Sequence, residues 1–88
     1  MDDSESLLDF PCRFPVKIMG RDQPDFKAHI VELISQHTGP IASADITVRT
    51  SSKGKFIALT VTVLAKSREQ LDEIYRTLSA SEQVVYLI

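Results

Sequence analysis

Phe56-Ile-Ala-Leu-Thr-Val-Thr-Val-Leu-Ala-Lys-Ser-Arg-Glu-Gln-Leu-Asp-Glu-Ile-Tyr-Arg-Thr-Leu-Ser79 changes its hydrophobic period part-way along. Ile57, Leu59, Val61 and Val63 recur at every second residue, the period of a strand with one buried face. From Arg68 the period becomes helical, and Leu71, Ile74, Tyr75 and Leu78 form a narrow apolar stripe. Ser67 and Gln70 stand at the change in capping-box spacing, so the strand leads directly into a helix over Arg68–Ser79. The strand's other face, Phe56, Ala58, Thr60, Thr62 and Leu64, is unusually apolar for a face turned to solvent.

On the N-terminal side, Ser51-Ser-Lys-Gly-Lys55 reads as a hairpin loop in which Gly54 takes positive φ, and Ala44–Thr50 alternates as the preceding strand. Farther back, Cys12–Met19 alternates, with Phe14, Val16 and Ile18 on one face and Arg13, Lys17 and Met19 on the other. Gly20-Arg-Asp-Gln-Pro24 then turns into a helix over Pro24–His37, whose stripe is Phe26, Ile30, Leu33, Ile34 and His37. Asp22 suits its cap, Pro24 its first turn and Asp25 its dipole. Thr38-Gly39-Pro40 stops it. Gln83–Ile88 supplies a last strand that includes Tyr86. The order βαββαβ predicts an α+β sandwich with two helices on one face of a four-stranded antiparallel sheet. Right-handed crossovers favour strand order 4-1-3-2.

Eighty-eight residues, 43% apolar and 25% charged, suit one globular domain without staples. Residues 1–6 read as a disordered acidic tail and 7–88 as the single domain, with Leu7, Leu8 and Phe10 docking back, either onto the domain generally or across the open sheet face. No apolar run approaches the ~20 residues of a membrane span, the N-terminus lacks a basic signal region, and Cys12 is alone. A cytoplasmic protein without membrane contact is expected. The net charge of −2 hides an asymmetry, because residues 10–88 carry ten bases against eight acids. Between Asp45 and Glu69 there is no acid, while Arg49, Lys53, Lys55, Lys66 and Arg68 supply five positive charges.

Phe10-Pro11, Val16-Lys17-Ile18-Met19-Gly20 and Ser51-Ser52-Lys53-Gly54, at these spacings, resemble the bacterial YbeD-like family of small uncharacterised cytoplasmic proteins. The resemblance runs from about Leu7 to Ile88. It implies a ferredoxin-like domain similar to ACT domains, which bind amino acids and regulate metabolic enzymes, and it implies no established activity. Gly20-Arg-Asp-Gln-Pro-Asp-Phe26 also looks like the ACT turn at which effectors usually bind. Where the ACT pattern commonly has Gly after the Pro, Asp25 stands here, which removes a close backbone approach and adds a negative charge.

Two places could bind something. At Gly20, Arg21 and Asp22, backbone amides and a helix N-terminus favour an anion, and Arg21 can clamp a carboxylate or phosphate. The plainer reading is a tight turn with a capping Asp and a solvated Arg. At Arg49, Ser51, Ser52, Lys53, Gly54, Lys55 and Phe56, amides, hydroxyls and cations suit phosphate or an acidic partner surface. There the plainer reading is a soluble hairpin whose lysines discourage edge pairing.

Catalytic and metal readings find less support. His29 and His37 lie eight residues apart on one helix, roughly 12 Å, and cannot share an ion. His37 reads as a packing residue, and His29 shows no evident partner. Cys12 lacks a base or oxyanion site, and metal carriers of this architecture use paired cysteines. Similarity to acylphosphatases would need a catalytic Asn, and the chain has none. One outward aromatic on the third strand and a net acidic chain argue against nucleic acid.

The sequence therefore points to a non-catalytic, ACT-like regulatory or sensor domain that binds a small anionic metabolite near Gly20–Asp22. The alternative is a protein-interaction adaptor using the open sheet face or the basic hairpin, with no metabolite. Neither needs a cofactor or metal. A homodimer through an edge strand or the open face fits both, since ACT domains commonly pair.

Overall fold

A computed structural model describes residues 9–51 and 53–88. The tail expected at 1–6, together with Leu7, Leu8 and Ser52, lies outside the described residues. The elements are β1 (Cys12–Arg21), α1 (Phe26–Thr38), β2 (Ile46–Thr50), β3 (Phe56–Ala65), α2 (Arg68–Ser79) and β4 (Val84–Leu87). The strands form one antiparallel sheet in the order β2-β3-β1-β4, which is the predicted order read from the other edge. This is the ferredoxin-like α+β fold, with both helices on one face.

The spine is a ten-residue ladder between β1 and β3, from Cys12 opposite Ala65 to Arg21 opposite Phe56. Their period-two patterns are in phase, so Val16, Ile18, Leu59 and Val61 all point to the helices and are buried. Phe26, Ile30 and Ile34 of α1 and Leu71, Ile74 and Leu78 of α2 close the core from above. Burying side chains of this size contributes roughly 1.5–3 kcal/mol each. Phe10 packs against the same buried cluster rather than across the open face.

Several local expectations change. α1 begins at Phe26 with Asp25 as its N-cap residue and no side-chain cap, so Asp22 is not the cap. The Asp22 N–H instead donates to the Lys55 carbonyl at 3.0 Å. Ser43–Asp45, expected in part as strand, is a 3-10 turn, and Asp45 accepts from Arg13 at 2.6 Å. β4 runs only from Val84 to Leu87, and its pairing with β1 shifts register between Met19 and Gly20. His29 does have a partner, the Ser81 hydroxyl at 3.1 Å, and half-buried His37 meets Thr77 at 2.8 Å. Both histidines thus tie α1 to the α2 side of the molecule. Tyr75 donates to the Ile88 carbonyl at 3.0 Å, and burial pushes its phenol above the usual 10.0. No helix among the described residues is long and apolar enough to cross a membrane.

Candidate functional site

The two places singled out in the sequence meet at one end of the sheet. Arg21 closes β1 directly opposite Phe56, which opens β3, and its guanidinium lies 6.0 Å from the Phe56 ring centroid. The Asp22–Lys55 backbone bond joins the β1–α1 turn to the hairpin. Arg49 stands opposite Ala58 one strand farther out. Met19, Arg49, Phe56 and Ala58 line a shallow hollow of about 230 Å³ at this corner. Arg21, Arg49, Lys53 and Lys55 are all exposed here. A cation over an aromatic ring is worth about 0.5–1 kcal/mol at an exposed site, enough to bias the Arg21 rotamer without tying it down.

Not every residue of the two motifs is available to a ligand. The Ser51 hydroxyl accepts from the backbone N–H groups of Lys55 and Phe56 at 3.1 and 3.2 Å, so it holds the hairpin closed. Gly54 has φ of 70°, a conformation L side chains rarely adopt, and its N–H donates to the Ser51 carbonyl. Gly20 is buried, and the Phe26 ring occupies the space a Cβ would need, 2.2 Å from its Cε1. A ligand at this turn therefore meets the side chains of Arg21 and Gln23, not the Gly20 backbone. Beside them Glu82, Gln83 and Val85 complete a cleft of about 300 Å³, and Gln83 carries a buried Oε1 with no hydrogen-bond partner among the described residues.

The corner continues into the open sheet face. Lys17, Met19, Thr47, Arg49, Thr60 and Tyr86 line a basin of about 450 Å³ there. Tyr86, opposite Met19 on β4, is 59% exposed. The four strands contain no Asp or Glu, and their four charges, Arg13, Lys17, Arg21 and Arg49, are all cations. Arg13, Lys17 and Arg21 alternate with the buried residues of β1, and Arg49 pairs with outward Ala58, so all four lie on the open face. Among the described residues, Arg13 alone of the four is in an ion pair, and no carboxylate lies within pairing distance of Lys17, Arg21 or Arg49. The described acids are confined to helices, turns and loops. The sequence shows each of these residues, but no local pattern in it marks Tyr86 as a site residue. Only the register of β4 against Met19 places its ring on this face.

A family model described as "Protein of unknown function (DUF493)" matches residues 5–88. The chain belongs to this family. Among its relatives, a UPF0250 protein of Paraburkholderia phymatum is 51% identical over 81 residues, covering 92% of this chain and 91% of that protein. One from Chromobacterium violaceum is 47% identical over 83 residues, covering 94% and 93%. One from Neisseria gonorrhoeae is 41% identical over 83 residues, covering 94% and 91%. The YbeD-like resemblance read from the sequence motifs is thus borne out. These names state no activity, substrate or partner.

Proposed function

We propose that this member of the DUF493 family is a non-catalytic binding module that holds an anionic partner against its open sheet face. The observation that carries this is the segregation of charge: every charged side chain on the sheet is a cation and all point the same way. Among the described residues three of them have no carboxylate within ion-pair distance, and the face they share exposes apolar surface that a partner can desolvate. Long-range attraction would orient such a partner before contact. The module uses the surface named in the protein-interaction reading of the sequence, with the hairpin and the face acting as one.

A small anionic metabolite at Gly20–Asp22 remains the second reading, supported by the cleft beside Arg21 and the unpartnered Gln83 Oε1. The Glu82 carboxylate on the same cleft opposes an anion there. Amide NMR of the full chain, titrated with a decaglutamate peptide, pyrophosphate and citrate, separates the two. Shifts on Lys17–Arg21, Arg49 and Phe56–Thr60 are expected for the face. Shifts confined to Arg21, Gln23 and Glu82–Val85 would replace it with the metabolite cleft, and a silent face across the panel would overturn it.

A further inference from the structure

Taken in a row, the residues show one outward third-strand aromatic and a net charge of −2, both unfavourable to nucleic acid. Folding changes both. Tyr86 joins Phe56 on the open face, and the described acids all lie off the strands, so that the charged side chains of the strands nearest the two rings are Lys17, Arg21 and Arg49. We infer that the open sheet face binds single-stranded nucleic acid, with these three cations on phosphates and Phe56 and Tyr86 stacked on bases. The inference rests on the reading of this face as an anion-binding surface and names what occupies it.

The rings decide between a nucleic acid and an acidic polypeptide. Glutamate side chains would gain from the cations and nothing from an exposed aromatic face, whereas every base has a π-face to stack. The Arg21 guanidinium, 6.0 Å from the Phe56 centroid, widens that platform, since planar guanidinium groups also stack on bases. Phe56 and Tyr86 stand on strands flanking β1 and two residues out of register, about 12 Å apart from strand geometry. Each ring therefore holds its own base, and the two cannot sandwich one. Thr47 and Thr60, level with Lys17 on β2 and β3, add hydroxyls to the lining of the basin that Tyr86 shares, where base edges or sugars can meet them. A second copy of the chain is a poor occupant, because face-to-face pairing sets the same unpaired cations against themselves.

Fluorescence anisotropy with labelled octauridylate tests this on the full chain, with decaglutamate as the comparison ligand. Saturable binding is expected, weakening with salt at a logarithmic slope of about −2, from three phosphates at ~0.7 each. Tyr86→Ala should lose tenfold or more in affinity, within the ~1–3 kcal/mol of one stacked base, with an unchanged thermal melt. Phe56→Leu, which keeps apolar bulk and removes the ring, should lose a similar amount. If both variants bind octauridylate as wild type does, the rings are not stacking on bases and the inference fails. If decaglutamate binds and the oligonucleotide does not, the inference fails while the anion-binding face stands. If neither binds, both fall.

Discussion

Gly20 shows how one missing methyl group sets the geometry of the binding corner. It sits at the inward side of β1, where the Phe26 ring and the Gln83 carbonyl both press against its Cα, so that a Cβ would lie 2.2 Å from the ring and 2.5 Å from the oxygen. The first contact anchors the start of α1 and the second the approach to β4. Gly20→Ala should therefore destabilise the chain by about 3 kcal/mol, the upper part of the range for overpacking. Urea unfolding would read this. Combining it with Phe26→Leu should recover part of the loss, because the ring supplies one of the two clashes. A wild-type midpoint for Gly20→Ala would show that the turn yields freely and that Phe26 does not fix it. From the sequence this glycine reads as a place where backbone amides approach a ligand, whereas in the fold the Phe26 ring fills that space. A core Phe and a ligand make the same demand on that position.

At the scale of elements, the α2 N-terminus joins local and long-range structure through one side chain. The Ser67 hydroxyl accepts from the Gln70 N–H at 3.1 Å, as the capping box requires, and the Gln70 Oε1 reaches back to the Lys66 N–H at 2.6 Å. Its Nε2 meanwhile donates to the His37 carbonyl in the last turn of α1 at 2.8 Å, so one amide closes the ends of both helices. Ser67→Ala removes a cap worth about 1 kcal/mol. Gln70→Ala removes two bonds at about 1 kcal/mol each and should cost about twice as much. Gln70→Glu keeps the acceptor and loses only the donor, so it should cost about 1 kcal/mol, half the loss of Gln70→Ala; no loss for Gln70→Glu in chemical denaturation would mean the link to α1 contributes nothing. β3 and α2 were legible to the residue because their periods are clean and the box marks the junction. β2 and the start of α1 were less so, since their limits depend on tertiary bonds, Arg13 to Asp45 and Asp22 to Lys55, that a local pattern does not contain.

At the scale of the molecule, the functional reading depends on where charge lies and not on how much there is. The sequence shows a net charge of −2 and a basic stretch around the hairpin. Because it does not show which side chains share a face, it gave no sign that β1, β2 and β3 combine into a surface on which every charged side chain of the strands is a cation. The helix side carries Glu32, Glu69, Asp72 and Glu73 among its cations, with Arg68 and Arg76 paired to Asp72 and Glu73. Two double variants separate location from amount, Arg21→Glu with Arg49→Glu on the sheet and Arg68→Glu with Arg76→Glu on α2. Both end with the same net charge, four units more negative than the wild type. The α2 variant loses only exposed ion pairs, worth about 0–1 kcal/mol each, and should stay folded. If the face binds anions by direct contact, the sheet variant should lose at least about tenfold in affinity for decaglutamate or octauridylate near physiological salt, while the α2 variant stays within about threefold. Screening supports that difference: the Debye length there is about 8 Å, so charges beyond the sheet contribute little to a ligand held on the open face. Equal losses in the two variants would mean that overall repulsion governs binding and that the sheet has no special role. Loss confined to the sheet variant ties the interaction to Arg21 and Arg49.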